Sequence, residues 1–563
     1  MTARQRIVPI RRQYNKWVNN QTLEDYALRF TAKGARKFSS RAISQTAIGA
    51  ISFLALEAIG GAITLSHGTA NAFLAIFVGS LVLLIVGLPI SRYAVRYGVD
   101  IDLLTRGAGF GYIGSTITSL IYASFTFILF AIEASIMSGA LEFAFGIPLW
   151  LGYIISAVAV IPLVTHGITW ISRFQLATQP FWIILNILPF VFILFTDWQA
   201  LGTWLSFSGI DPATGAPKAA QSGWDSISLI SFGAASAVIL ALMAQIGEQV
   251  DFLRFLPATD HGRKRHRLAV FLAGPGWVIL GAPKMIAGSF LAVLVLSHGV
   301  PVEHADDPSR MYTVAFGYMI PNETVVLLLM AAFVVVAQLK INVMNAYAGS
   351  LAWSNFFSRL THSHPGRVVW LVFNVVIALL LMELGIYRML EETLGVFSII
   401  AMAWLSAISA DLFINKPLGL SPPGIEFKRA HLYDINPVGT GAMLLAAGLA
   451  LAAQFGYFGE VAAALSTFLA MAVAFVAAPL IAWATKGQYY LARKPRKSWQ
   501  ARDHIACSIC ENPFEPEDMA YCPAYQAPIC SLCCSLDARC HDSCKPKARL
   551  NYQLGSVAGA VLP

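Results

Sequence analysis

The chain has 563 residues, of which 57% are hydrophobic and 12% charged, about half the charged share of a soluble globular protein. That leaves too little polar surface to coat soluble domains of this total length, so the composition excludes an ordinary soluble protein and points to the membrane class. The net charge of +8 does not require a nucleic-acid partner, because basic residues collect in the loops that stay on the cytoplasmic side of a membrane.

Residues Met1 to Arg41 are polar and basic, and no short apolar core with a cleavage site precedes the first long apolar run, so no signal peptide is expected. A spanning helix needs about 20 apolar residues. Twelve candidates follow, roughly Thr46–Leu65, Ala72–Ser91, Tyr112–Ala140, Pro148–Thr165, Leu176–Phe195 and Ser226–Gly247, then Leu268–Leu296, Thr324–Tyr347, Val368–Leu384, Thr393–Leu412, Pro437–Phe455 and Val461–Trp483. Helices are expected because backbone groups in lipid must be satisfied within the segment. One set of connections is basic, with Arg92, Arg96, Arg106, Arg173, Arg254, the run Arg263 to Arg267, Arg359, Arg367, Lys416, Lys428 and Arg429. The alternate connections are short or acidic, as in Asp197 to Asp225 and Glu303 to Asp307. The basic set inside places both termini in the cytoplasm.

Two spans carry interruptions at matching positions. The first has Glu57 followed by Gly60-Gly61, and the sixth ends in Ala244-Gln245-Ile246-Gly247-Glu248-Gln249. Broken spans opening two five-helix blocks point to an inverted-repeat transporter with its site at the midplane. The alternative is that Gly-Gly only permits close helix packing.

All eight cysteines lie between Cys507 and Cys544. Their order is Cys507-x2-Cys510, Cys522, Cys530-x2-Cys533-Cys534, Cys540 and Cys544, after the basic run Arg493 to Lys497. This pattern reads as zinc ligation, eight thiols serving two structural ions. In an interleaved arrangement the two C-x2-C pairs hold one ion, and Cys522, Cys534, Cys540 and Cys544 hold the other, with His541 or His504 able to replace one ligand. Disulfides are disfavoured in reducing cytoplasm, and an iron–sulfur cluster needs only four cysteines. Too few apolar residues surround the cysteines to form a core, so metal is expected to supply the folding energy. The expected organisation is a cytoplasmic segment over 1–44, a twelve-helix domain over 45–486 and a metal-binding tail over 487–563.

Six short motifs in chain order carry a resemblance. They are Leu23 to Arg29 (LEDYALR) before the first span, Ile59-Gly60-Gly61, Asp251-Phe252-Leu253-Arg254-Phe255, Asn342-Val343-Met344-Asn345-Ala346-Tyr347 with Ser354-Asn355, Ala410-Asp411-Leu412-Phe413, and Ile435-Asn436-Pro437. Together, from about Leu23 to Lys486, the chain resembles the nucleobase–cation symporters, the cytosine, purine and hydantoin permeases. The resemblance implies an all-α membrane fold of ten helices in two inverted five-helix repeats of the leucine-transporter type, plus two further helices. It also implies uptake of a nucleobase-like ring compound driven by sodium or protons, in the inner (plasma) membrane.

Intramembrane ionisable groups are costly and mark functional sites by default. Glu57 offers an acceptor for ring N–H groups or a carrier for a coupling proton, or else a partner for a buried base. Glu133 lies in the third span, where the family places substrate contacts, and Phe125 and Phe127 are candidates to stack on a planar ring. Gln245, Glu248 and Gln249 supply the donors and acceptors that a nucleobase edge needs. Asn342 and Asn345 share one helix face, whereas Asp251 and Arg254 read as a tie between a helix end and a loop. Lys340 departs from the family, whose sodium ligands just ahead of the first Asn are short hydroxyl residues. A lysine there, paired with Glu57 or Glu133, implies a sodium-independent protein. Lys284 in the seventh span is a second buried-looking base with no evident partner.

The tail and the end at Gly555 to Pro563 raise a second reading, a transporter-shaped receptor or truncated sensory input domain with a cytoplasmic signalling partner. No nucleophile–base pair, phosphate loop or open metal site suggests an enzyme.

Overall fold

The computed structural model describes residues 26–561 apart from 212, 220–225, 258–263 and 538. Leu23, Glu24 and Asp25 of the leader, Asp225, Arg263, Leu562 and Pro563 lie outside the described residues. Each of the twelve expected spans overlaps helix, and among the described residues nine helices, or ten with one bent pair taken as a span, are long and apolar enough to cross a membrane. The first comprises α1 (Ser40–Ala50) and α2 (Ala55–His67), bent by 44° to one another. Then follow α3 (Thr69–Tyr97), α4 (Gly114–Phe145), α5 (Leu149–Thr165) and α6 (Ile168–Thr196). The sixth span joins α7 (Leu229–Leu240) to α8 (Gln245–Leu253) through a 3-10 turn, and α9 (Lys264–Ala273) leads to α10 (Val278–Ser297). A short α11 (Pro308–Gly317) precedes α12 (Glu323–Thr361), α13 (Arg367–Glu383), α14 (Leu390–Ala410), α15 (Pro437–Gln454) and α16 (Ser466–Ala484).

The helix starts have local causes. Ser39 caps α1 by accepting from the Ala42 N–H at 3.2 Å, and Asn322 caps α12 in the same way at 3.1 Å. The Asn436-Pro437 pair caps and opens α15, a side-chain acceptor followed by a ring that lacks the N–H no helix start can use.

Three expectations about the breaks need correction. In span one the chain unwinds at Ile51–Leu54, not at Gly60-Gly61, which lie inside α2. Both glycines are packing residues. A Cβ on Gly60 would overlap the Met285 carbonyl, and one on Gly61 the Met311 and Ala292 side chains. Gly288 presses in the same way on the Glu57 backbone, so α2 and α10 run at backbone contact. We predict that Gly60→Val costs about 3 kcal/mol by overpacking, seen as a lower melting temperature of the purified protein. An unchanged melting temperature would contradict this packing. In span six the tightening falls at Ala241–Ala244, so Gln245 to Gln249 are already helical. In span seven Gly274-Pro275 interrupts the run, so α9 is a separate connector and the span begins at Pro275.

Helix α4 packs along α12, α2 along α10, and α15 and α16 against each other and α14. The loops with the basic residues gather at one end of the bundle, where the tail docks. The tail pairs β1 (Ile505–Ala506) with β2 (Pro513–Phe514) and β3 (Met519–Cys522) with β4 (Ala527–Cys530), both antiparallel. Helix α17 (Ser531–Leu536) follows, and α18 (Leu550–Val561) ends the described chain. The expectation that the tail lacks an apolar core is overturned. Ile505, Ile509, Phe514, Met519, Ile529, Leu532 and Leu536 pack around the cysteines, and Leu28 from the N-terminal segment and Ala430 from the loop before α15 complete the cluster.

Candidate functional site

The unwound turn of span one organises the centre of the bundle. An interrupted helix leaves N–H and C=O groups without partners inside the chain's own ladder, and at membrane depth other parts of the protein must supply them. Ser52 Oγ donates to the Ala337 carbonyl of α12 at 3.0 Å, and the Leu54 N–H donates to Gln338 Oε1 at 3.2 Å.

Glu57 occupies the first turn of α2 and is fully buried. Its Oε1 accepts from Lys284 Nζ of α10 at 2.6 Å, from the Tyr312 hydroxyl of α11 at 3.0 Å and from Asn186 Nδ2 of α6 at 3.3 Å. Asn186 also donates to the Tyr312 oxygen at 2.9 Å. Glu57 Oε2 makes no hydrogen bond among the described residues. Glu133 on α4 faces the Ala55 N–H and the Gln338 amide, yet neither of its carboxylate oxygens completes a hydrogen bond.

Lys340 does not pair with Glu57 or Glu133. Its ammonium turns to α6 and donates to the Gln175 carbonyl at 2.9 Å, Thr178 Oγ1 at 3.0 Å and Gln179 Oε1 at 3.2 Å. Lys284, which had no partner in the sequence reading, is the base that meets Glu57.

On α8, Gln245 Nε2 donates to Glu248 Oε2 at 2.7 Å, which leaves Glu248 Oε1 and both amide atoms of Gln249 buried without a hydrogen bond. On α12, Asn345 Nδ2 donates to Asn342 Oδ1 at 3.2 Å, and Asn342 Nδ2 and Asn345 Oδ1 make no hydrogen bond among the described residues. Polar atoms buried without partners each cost about 1–3 kcal/mol. Several on facing helices form an arrangement that a polar ligand or ordered water would complete.

Phe127 is not part of this centre. Two residues on a helix are separated by about 200°, so Phe125 and Phe127 face different neighbours. The Phe125 ring is fully buried and stacks on Phe397 at 6.1 Å. The Phe127 ring lies parallel to Trp353 at 6.3 Å, beside the half-open cluster of Phe356, Phe357 and Phe373.

At the basic end, Asp251 and Arg254 tie α8 to the loops. Arg254 donates to the Tyr26 carbonyl at 3.0 Å and lies 3.6 Å from Asp100, while the Tyr122 hydroxyl donates to Asp251 at 3.0 Å. Arg359 of α12 pairs with Asp102, and Arg106 donates to Asn355 Oδ1 at 2.6 Å.

In the tail, the sulfurs of Cys507, Cys510, Cys530 and Cys533 all lie within 4.8 Å of one another. A tetrahedral zinc with bonds of about 2.3 Å needs sulfurs about 3.8 Å apart, and Cys510 and Cys530 stand at 4.0 Å. The N–H groups of Cys530 and Cys533 point at the sulfurs of Cys507 and Cys530, at 3.3 and 3.4 Å. Such donors stabilise thiolate. The neighbouring thiols hydrogen-bonding to its sulfur hold Cys507 far below an ordinary thiol, against the upward push of burial. This donor set fits a metal ion of the zinc class. Cys522, Cys534, Cys540 and Cys544 line a second, small cavity with Tyr525, Asp537 and Asp542. Burial raises the Cys522, Cys534 and Cys540 thiols. Among the described residues only the first four close to within 4.8 Å.

The tail is held to the basic end by charge. Arg429 donates to the Cys534 and Asp537 carbonyls at 3.1 and 2.8 Å and pairs with Asp542 at 2.9 Å. Lys545 pairs with Asp434 at 2.6 Å, and Lys33 with Glu517 at 2.7 Å. The Asp434 carbonyl in turn accepts from the N–H groups of Ile113 and Gly114 at the start of α4, at 2.7 and 2.9 Å.

No protein-family model and no curated protein sequence matches the chain. Solved structures do. A closed, bromovinylhydantoin-bound structure of Mhp1, a nucleobase-cation-symport-1 family transporter, is similar with a TM-score of 0.57 at 16% identity, over 82% of this chain and 98% of that one. An inward-facing structure of Mhp1 gives 0.55 at 17% identity, over 79% and 91%. A substrate-bound, outward-open sodium-coupled sialic acid symporter gives 0.52 at 15%, over 83% and 94%. At these identities the likeness shows the fold. The chain is a mostly helical, multi-pass membrane protein with the leucine-transporter-like fold, and its cysteine-rich tail can hold a metal ion.

Proposed function

We propose that the protein is a secondary transporter of nucleobase-like ring compounds, of the purine, cytosine, hydantoin or allantoin class, and that it works without sodium. It sits in the inner (plasma) membrane, with the basic end and both termini in the cytoplasm. The observation that carries this reading is the set of buried carboxylate and amide atoms with spare hydrogen-bonding capacity on α2, α4, α8 and α12. Such a set offers acceptors to ring N–H groups and donors to ring carbonyls. Glu57, Glu133, Gln245, Glu248, Asn342 and Asn345 are the proposed substrate contacts. Lys340 ties α12 to α6 and is proposed to make and break that tie as the helices move.

Melting-temperature measurements on purified protein with purine, cytosine, allantoin and hydantoin test this. One class is expected to stabilise the protein. Glu133→Gln should then weaken that binding about tenfold, as expected for a lost hydrogen bond. Failure of every class to bind would count against the reading.

The tail is proposed to carry two structural zinc ions, one on Cys507, Cys510, Cys530 and Cys533 and one on Cys522, Cys534, Cys540 and Cys544. It braces the cytoplasmic end of the bundle through Arg429, Lys545 and Asp434. Elemental analysis of the purified chain should give two zinc ions, and a single ion would remove the second site.

A further inference from the structure

Among the described residues, Lys284 is the cationic side chain that meets the unwound turn of span one. Its ammonium lies 2.6 Å from Glu57 Oε1 and 3.5 Å from the Ser52 carbonyl, and the Trp182 ring centroid is 5.4 Å away. Lys284 is 4% exposed and Glu57 fully buried. Two other groups of the break meet neutral partners, Ser52 Oγ on the Ala337 carbonyl and the Leu54 N–H on Gln338, and the Ala55 N–H faces Glu133. Gly60 and Gly288 hold α2 and α10 at backbone contact, which keeps the Lys284 head group against the break. A carboxylate and a main-chain carbonyl at a helix break form the kind of oxygen-lined seat that takes a small cation in transporters of broken-helix design. A buried carboxylate without a cation is strongly unfavourable.

We propose that Lys284 is a tethered cation. Its ammonium fills the seat between Glu57 and the Ser52 carbonyl that a dissociable monovalent cation would otherwise occupy, and it keeps Glu57 paired without one. The proposal rests on the transporter reading and deepens its independence from sodium. The residue responsible is Lys284 on α10 and not Lys340 on α12.

The test reads cation binding without any substrate, so its failure is separable from failure of the transporter reading. Melting temperatures of the full chain in detergent are compared in sodium chloride and in choline chloride of equal ionic strength. The unaltered protein should melt alike in both salts. Lys284→Ala empties the seat and leaves Glu57, so sodium should raise its melting temperature by about 2 °C or more in a saturable manner. Lys284→Ala with Glu57→Gln removes both charges and should again be indifferent. Recovery of folded Lys284→Ala only when sodium is present throughout purification would equally support the proposal. If it folds in neither salt, Lys284→Gln, which retains a donor to Glu57, carries the same comparison. Sodium-specific stabilisation of the unaltered protein, or a folded Lys284 variant that keeps Glu57 and ignores sodium, would overturn the proposal.

Discussion

Cys507→Ser and Cys533→Ser are expected to release about one equivalent of metal per chain and to expose the tail to trypsin while the membrane part stays folded. Structural zinc contributes about 10–16 kcal/mol in small zinc domains, as much as the entire stability of an ordinary domain. The apolar cluster around Ile509, Phe514, Ile529 and Leu532 lessens that dependence but does not remove it. The cluster lies among the cysteines, and its strands pair over only two and four residues. Release of the tail should also loosen the start of α4, because Asp434 links the two. It accepts from Lys545 and the Leu550 N–H on one side and from Ile113 and Gly114 on the other. Proteolysis and metal analysis after chelation provide the check. A tail that stays resistant after metal is stripped would contradict this account of its stability.

The second large effect is expected at Arg359. Its guanidinium is buried and joins Asp102, the Asn355 carbonyl at 2.9 Å and the Tyr112 carbonyl at 3.4 Å. Arg359→Ala leaves the Asp102 carboxylate buried with Arg106 at 3.6 Å and the Ser119 hydroxyl at 2.8 Å as its partners among the described residues, and breaking a buried pair costs about 3–5 kcal/mol. Lysine restores the charge but not the planar fork, so Arg359→Lys should recover only part of the loss. Melting temperatures of the two variants settle the order. Equal stability of Arg359→Ala and the unaltered protein would mean that this network does not hold the basic end together.

The spans were legible because length and hydropathy are local properties. All twelve expected segments overlap helix, nine or ten of the described helices are long and apolar enough to cross a membrane, and the interleaved grouping of the C-x2-C pairs meets the four-sulfur cluster. What could not be read depends on contacts distant in sequence. Lys284 was visible as a base in span seven, but Glu57 stands 227 positions away, and nothing in either segment names the other. Gly60-Gly61 is compatible with both a break and a close approach, and only the position of Met285 across the interface decides for the second. Phe127 stacks on Trp353, a neighbour 226 positions away that nothing in the segment around Phe127 names. The core of the tail was missed because its apolar residues are few until strand pairing, Leu28 and Ala430 bring them together.

The central claim is sodium-independent transport of a ring compound, and uptake into liposomes carrying the purified, metal-loaded protein tests it most directly. Labelled purines, cytosine, allantoin and hydantoins are offered under a sodium gradient, a proton gradient or neither. The account predicts saturable uptake of one class that proceeds equally with choline in place of sodium and is lost in Glu133→Gln. Uptake that requires sodium would contradict the coupling claim, and binding of a ring compound without flux under any gradient would contradict the transporter itself in favour of a receptor.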